Sequence, residues 1–189
     1  MSMALRRPMT LTEFLEWEER QELRWEFDGF APVAMTGGTL GHGVIQANLM
    51  AALHRGLRGT PCRAVGSDVK IVVAGSVRYP DALVFCTPFT RTATVAADPV
   101  AVFEVLSPST SSTDFIVKNE EYRDTPSIQR YVMLAQDRPA ATVFARVEDD
   151  WVGHVMSGDA VLAMPEIGIE IPLAELYEGL TFEEAITAA

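Results

Sequence analysis

The feature that most restricts the fold is the run Val-Ala-Val-Phe-Glu-Val-Leu at residues 100–106. A short, almost wholly apolar run of this kind reads as a strand covered on both faces, and therefore as a central strand of a sheet. Pro108 ends it. Such a strand needs neighbours on either side and a layer above and below. The rest of the chain has to supply them.

Thr10-Leu11-Thr12-Glu13 has the form of a capping box, with Leu11, Phe14 and Leu15 as an apolar stripe, and predicts a first helix over about 10–19. Arg24–Phe27 and Phe30–Met35 predict two short strands around the turn Asp28-Gly29, with Pro32 placing the second strand at an edge. After the glycine-rich segment 37–43, the recurrence of Ile45, Leu49, Leu53 and Leu57 predicts a helix over about 42–58. Strands are expected over about 61–65, 67–74 and 79–86. The Ser/Thr cluster 109–113 offers N-caps for a helix over about 113–124, which Pro126 stops. Further strands are expected at 129–135, 140–147 and 151–156, then an acidic edge strand and a short terminal helix. The expected fold is α/β (α+β), a mixed central sheet flanked by helices, with an extra N-terminal hairpin and C-terminal antiparallel strands. At 189 residues the chain suits one domain over 1–189. Its core would lie at about 40–135, with the N-terminal helix and hairpin over 10–36 and an acidic C-terminal extension over 148–189.

Composition enters through charge. The net charge of −11 argues against a nucleic-acid partner until its distribution is considered. Residues 148–189 hold ten acids and no Lys or Arg, and the remainder is near neutral with 16 acids against 15 bases. A phosphate-binding face on the body is therefore compatible with the total, with the tail expected to lie away from it. Cys62 and Cys86 sit in apolar surroundings and read as two small buried hydrophobes rather than a disulfide or a metal pair. No signal peptide and no run of roughly 18 apolar residues is visible, so the expectation is a cytoplasmic protein with no membrane contact.

Glu104 lies in the middle of the apolar strand, where a carboxylate is costly unless it is paired, protonated or on a metal. Asp81 follows Pro80 within a second apolar run, Tyr79 to Phe85. Two carboxylates on neighbouring strands can converge on one hard cation, and Mg²⁺ binds through one or two carboxylates while keeping waters for substrate. The alternative is that each acid pairs locally with an arginine. Of the 15 basic residues only Lys70 and Lys118 are lysine. A compact ammonium can orient an attacking water or steady a phosphorane in a way that arginine's fork does not. Asp114, Lys118 and Tyr122 share one helix face, directly after the Glu104 strand. The alternative for these lysines is an Asp114–Lys118 helix pair and a surface Lys70.

Pro80-Asp81, Glu104-Val105-Leu106-Ser107-Pro108-Ser109-Thr110, and then Asp114, Lys118 and Tyr122 resemble the PD-(D/E)XK nuclease superfamily. Within it the match is to the bacterial restriction-endonuclease group called Uma-two, domain of unknown function 820. Met9 to Leu15, Trp25 to Gly29, Gly41-His42, Tyr122-Arg123 and Pro126 to Gln129 extend the resemblance over about 9–147. The resemblance implies a restriction-endonuclease-like core and a metal-dependent endonuclease that hydrolyses phosphodiester bonds of DNA with Mg²⁺ or Mn²⁺. Asp81 and Glu104 would be metal ligands, with the Val105 carbonyl as a third. The superfamily's usual lysine position is here Leu106, and the family supplies the lysine from the next helix, which is Lys118. Glu26 matches an acid of the family's N-terminal hairpin that helps bind a metal or orders the site, and Phe30 stands where the family often has a further acid. Duplex cleavage requires two sites, which a homodimer would supply.

Other signals carry less. The segment 37–43 lacks the Gly-Lys-Ser/Thr ending of a phosphate loop and reads as a connection or a lip of the cleft. His42 and Gln46 could line the cleft, with a structural role for His42 at least as fitting. His42, His54 and His154 lack zinc-ligand spacing. Glu120 and Glu121 read as a solvated face. The competing function is a catalytically degenerate nucleic-acid-binding or scaffold protein on the same fold.

Overall fold

The computed structural model describes residues 8–35, 37–107 and 114–182. The first helix, α1 (Leu11–Glu18), starts where its capping box dictates. Thr10 Oγ1 accepts the Glu13 N–H at 3.2 Å, and Glu13 Oε2 accepts the Thr10 N–H at 2.8 Å. Strands β1 (Trp25–Phe27) and β2 (Pro32–Ala34) form the expected hairpin. Asp28 Oδ1 accepts the N–H groups of Phe30 and Ala31, and Gly29 takes a φ of +85°, a value that favours glycine. Phe14 stacks on Phe27 with ring centroids 4.9 Å apart, which seats α1 on this hairpin.

The sequence predicts one strand over 67–74 and another over 79–86, but the chain instead folds back on itself. Strands β4 (Ile71–Val73) and β5 (Ser76–Arg78) make a second hairpin, and the four strands form a small sheet in the order β2-β1-β5-β4. Pro32 is on its edge strand, as expected. The chain then crosses to the main sheet through Tyr79-Pro80-Asp81, and the ladder of β6 (Ala82–Phe85) begins only after Asp81. Pro80 has no N–H to give a ladder, which explains the interruption.

The main sheet has six strands, with β3 (Arg63–Gly66), β7 (Pro99–Val105), β8 (Arg130–Leu134), β9 (Ala140–Val147) and β10 (Asp150–Ser157) in the order β10-β9-β8-β7-β6-β3. β7 and β8 are parallel and the other pairs antiparallel, so the sheet is mixed. β7 is central, and its residues from Ala101 on are buried, as the apolar run requires. Alternation divides its two faces. Ala101, Phe103 and Val105 pack toward α2 (Leu40–Gly56), whose Ile45, Leu49, Ala52 and Leu53 are buried against them. Val102 faces the other way, toward Tyr122, Ile128 and Tyr131.

Three expectations are corrected. The acidic C-terminal segment is not an edge strand of the main sheet. β11 (Val161–Met164) and β12 (Ile169–Pro172) form a separate two-stranded sheet, followed by a short helix at Leu173–Leu176. Its alternate apolar residues Leu162, Met164, Ile169 and Ile171 complete the core beneath α2, while among the described residues Glu170 and Glu178 are exposed and Glu175 and Glu166 pair with Arg55 and Arg130. Cys62 and Cys86 are joined in a disulfide. The β3–β6 register pairs Arg63 with Phe85, so the next pair outward is Cys62 opposite Cys86. Sequence spacing alone does not reveal that register. Glu121 is buried rather than solvated, while Glu120 is exposed as expected.

After β7 the expected helix begins, among the described residues, as a π-helical turn, Asp114–Lys118, and continues as α3 (Asn119–Arg123). The N-caps expected from Ser109–Thr113 and the side chain of Asp114 lie outside the described residues.

Candidate active site

A cavity of about 880 Å³ opens where the two sheets, the start of α2 and the π-turn meet. Asp81, Glu104, Val105, Lys118 and Glu26 all line it, as do His42 and Gln46. The cross-strand register explains the convergence. Ala82 pairs with Phe103, so Asp81 stands next to Glu104 at the end of the β6–β7 ladder. The Val105 N–H donates to Asp81 Oδ2 at 2.7 Å, which ties the Asp81 carboxylate across to β7. Asp81 is not within a strand as expected but in the link that precedes one.

Glu104 is 5% exposed and its burial is compensated by partners. Lys118 Nζ donates to its Oε1 at 2.9 Å and the Tyr122 hydroxyl donates to the same oxygen at 3.0 Å. Lys118 and Tyr122, one helical turn apart, thus reach one acceptor, as their spacing implies. Burial, followed by the charge of Glu104, holds the Tyr122 hydroxyl well above its ordinary value, so it stays a donor.

Glu26 is the hub behind the lysine. Its Oε1 lies 3.5 Å from Lys118 Nζ and accepts the Tyr79 N–H at 3.1 Å, and its Oε2 accepts from Arg78 Nη1 at 3.2 Å. Arg78 is 2% exposed and also donates to both oxygens of Glu121, from Nε and Nη2 at 2.7 Å each. Burial lowers the pKa of this guanidinium, but the bond to Glu121 and the charges of Glu121 and Glu26 outweigh it and leave the net shift upward. Sequence reasoning missed Arg78, and it placed Glu121 on a solvated face. An arginine two residues before Pro80-Asp81 was the available signal.

Lys70, the other lysine, is buried rather than at the surface. It is bonded to Glu18, which also accepts from the Tyr79 hydroxyl at 2.5 Å. Glu18 and Lys70 do not line the cavity. His42 Nε2 lies 3.2 Å from Asp81 Oδ2, and Gln46 Nε2 donates to the Asp81 carbonyl at 2.8 Å. His54, by contrast, meets the Ala64 carbonyl away from the site. Gly37, Gly38 and Gly43 lie on the cavity wall, consistent with the reading of segment 37–43 as a lip.

The donor set can be tested against a divalent cation. No group of three or more His, Cys, Asp or Glu side chains able to hold a metal occurs among the described residues. Asp81, Glu104 and the Val105 main chain line the cavity and carry hard oxygens, the donor chemistry that suits Mg²⁺ or Mn²⁺ completed by water and substrate oxygens. Among the described residues none engages Asp81 Oδ1. The residues present therefore fit the cation.

A mixed sheet flanked by helices, with Asp81, Glu104 and Lys118 on one cavity, is a nuclease-like fold. The chain belongs to the Uma2 family, described as "putative restriction endonuclease", which it matches over residues 11–174. It is 32% identical over 174 residues to the uncharacterized protein slr1290 of Synechocystis sp. (strain ATCC 27184 / PCC 6803 / Kazusa), covering 90% of this chain and 92% of that protein. A second Synechocystis protein, the uncharacterized sll1609, is 28% identical over 141 residues, covering 72% of this chain and 80% of its own. In fold the chain is similar to a crystal structure of "a putative nuclease belonging to DUF820" from Anabaena variabilis ATCC 29413. The TM-score is 0.73 at 20% identity, covering 90% of this chain and 98% of the other. No described helix is long and apolar enough to cross a membrane.

Proposed function

We propose that this protein is a divalent-metal-dependent endonuclease that hydrolyses phosphodiester bonds of DNA. The observation that carries the reading is the meeting of Asp81, Glu104 and Lys118 on one cavity wall, from three separate elements of a nuclease-like fold. Asp81 and Glu104 would hold Mg²⁺ or Mn²⁺ together with the Val105 carbonyl. When bound, such a cation supplies Lewis acidity to a phosphoryl oxygen and lowers the pKa of an attacking water.

The chain's own groups do the rest. Lys118 presents an ammonium beside Glu104, placed to orient the water or to stabilise charge that develops on the phosphoryl oxygens. Glu26 holds that ammonium from behind and is itself anchored by Arg78 and the Tyr79 N–H, which makes it an ordering residue for Lys118. Tyr122 shares Glu104 Oε1 with Lys118 and fixes the carboxylate on the β7 side. The reading extends to a cytoplasmic protein and to a homodimer that presents two sites to a duplex.

A binding protein without turnover is the second reading. It is favoured by Phe30, which stands exposed where the resembled family often carries an acid. The test is plasmid nicking with Mg²⁺ or Mn²⁺, read beside calorimetric titration of the metal, in wild type and Asp81→Asn. Nicking and binding that both vanish in the variant support the endonuclease. Metal binding, with the plasmid retained in a gel-shift but not nicked, supports the second reading and overturns the first.

A further inference from the structure

We infer that α2 is a two-point clamp on Asp81, with His42 as the positioning residue for its carboxylate and Gln46 for its main chain. The inference rests on the reading of Asp81 as a metal-holding carboxylate. Asp81 lies in the Pro80-containing link between two sheets, before the β6 ladder begins, so no ladder pair fixes its backbone. The clamp replaces that support. Gln46 Nε2 donates to the Asp81 carbonyl at 2.8 Å, and His42, one turn earlier on the same helix face, brings Nε2 to 3.2 Å from Asp81 Oδ2.

The Val105 N–H donates to that same Oδ2 at 2.7 Å. The Val105 N–H and the His42 imidazole, from two elements, therefore converge on one oxygen and favour one rotamer of the Asp81 side chain. Oδ1 is then the oxygen left to a cation. An imidazole held against a ligating carboxylate acts on the metal through that carboxylate, orienting it and tuning its basicity.

The placement of His42 is itself built into the chain. Thr39 Oγ1 caps α2 by accepting the His42 N–H at 3.2 Å, and it donates in turn to Gln136 Oε1 at 2.8 Å. A Cβ at Gly38 would stand 3.0 Å from the His42 ring, so the glycine leaves room for the imidazole at the cavity wall. His42 and Gln46 also line the cavity that Asp81 faces, which places the clamp beside the proposed metal position rather than at a remote packing contact.

The test is calorimetric titration of Mn²⁺ into the full chain as wild type, Asp81→Asn, His42→Ala, His42→Gln and Gln46→Leu, with thermal melting of each metal-free protein. Wild type should bind and Asp81→Asn should not. His42→Ala should bind about 10- to 100-fold more weakly, the range for loss of a residue that orients a ligand, with its melting temperature little changed. Glutamine can offer an N–H at a similar reach and should recover much of the affinity. Gln46→Leu should weaken binding independently, which keeps the idea testable if His42→Ala folds poorly. Asp81-dependent binding that neither His42→Ala nor Gln46→Leu weakens overturns the clamp and leaves the metal reading intact. Weakening that glutamine does not restore, or that tracks lost thermal stability, assigns His42 to packing and also overturns it. A wild type that binds no Mn²⁺ overturns both.

Discussion

Replacing Glu121 by alanine tests whether the buried polar network behind the site is what makes it rigid. Glu121 accepts three bonds at 2.7 Å each, two from the Arg78 guanidinium and one from the Ser76 hydroxyl. The Arg78 side chain is 2% exposed and that of Glu121 11%, so water cannot take over the lost bonds without opening the fold. Removing one partner of a buried pair costs about 3–5 kcal/mol, because the other charge is left in a poorly solvating site. Glu26 still faces Arg78 at 3.2 Å, which puts the expectation near the lower limit, about 3 kcal/mol. For a chain of this size that is a fall of roughly 6–12 °C in melting temperature. The assay is urea and thermal unfolding of Glu121→Ala beside Glu120→Ala, the exposed neighbour, whose change should stay within about 0.5 kcal/mol. The double replacement Arg78→Met with Glu121→Leu should recover much of the loss, since it removes both buried charges. A cost below about 1 kcal/mol for Glu121→Ala, the level of a surface pair, would refute the reasoning.

The other predictions concern the lysines, the tyrosines and the disulfide. Lys118→Ala should lower cleavage by about 10²–10³-fold with metal binding kept, whereas Lys70→Ala should lower stability and leave much more of the cleavage rate. Equal rate losses in single-turnover assays would mean the structure ranks them wrongly. Burial lifts the hydroxyls of Tyr79, Tyr122 and Tyr177 above their ordinary value, Tyr177 to about 12. Between about pH 10 and 12 the unfolded chain gives up protons that the native chain keeps, so stability should fall as pH rises, by up to about 1.4 kcal/mol per unit for each such group. Urea midpoints that stay flat across that window would contradict the burial of these hydroxyls. Reduction of Cys62–Cys86, which closes a 24-residue separation, should cost about 3 kcal/mol and lower the melting temperature by roughly 6–12 °C. An unchanged melting curve after reduction and alkylation would show that the bond does not act as a cross-link in solution.

The fold was legible where a local rule leaves one outcome. The capping box set the start of α1, Asp28-Gly29 set the hairpin, and the seven-residue apolar run set the central strand. It was illegible where the outcome depends on register. The break after residue 74 was readable at Gly75, but nothing local says that 76–78 is itself a strand that pairs back onto β1, or that the chain then changes sheets at Pro80. The disulfide has the same origin. Two cysteines in apolar strands are equally compatible with two buried thiols, and only the β3–β6 pairing makes them neighbours. The acidic tail misled through its charge, because its alternate apolar residues bury against α2 whatever sign the outward positions carry.

The candidate site divides in the same way. A carboxylate in a fully apolar strand is expensive, so Glu104 was conspicuous from sequence alone, and a chain that uses arginine almost everywhere made its two lysines conspicuous too. Rarity marked both lysines but could not rank them. In the structure each lysine is buried against a glutamate that also accepts from a tyrosine hydroxyl, Lys118 with Glu104 and Tyr122, Lys70 with Glu18 and Tyr79. The chemistry of the two clusters is therefore nearly the same, and only access separates them. Glu104 and Lys118 line the cavity of about 880 Å³, while Glu18 and Lys70 lie outside it and join α1 to the small sheet. A buried ion pair is thus no sign of catalysis by itself. It becomes a candidate here because a second carboxylate, Asp81, stands on the same cavity wall with one oxygen that no described residue engages.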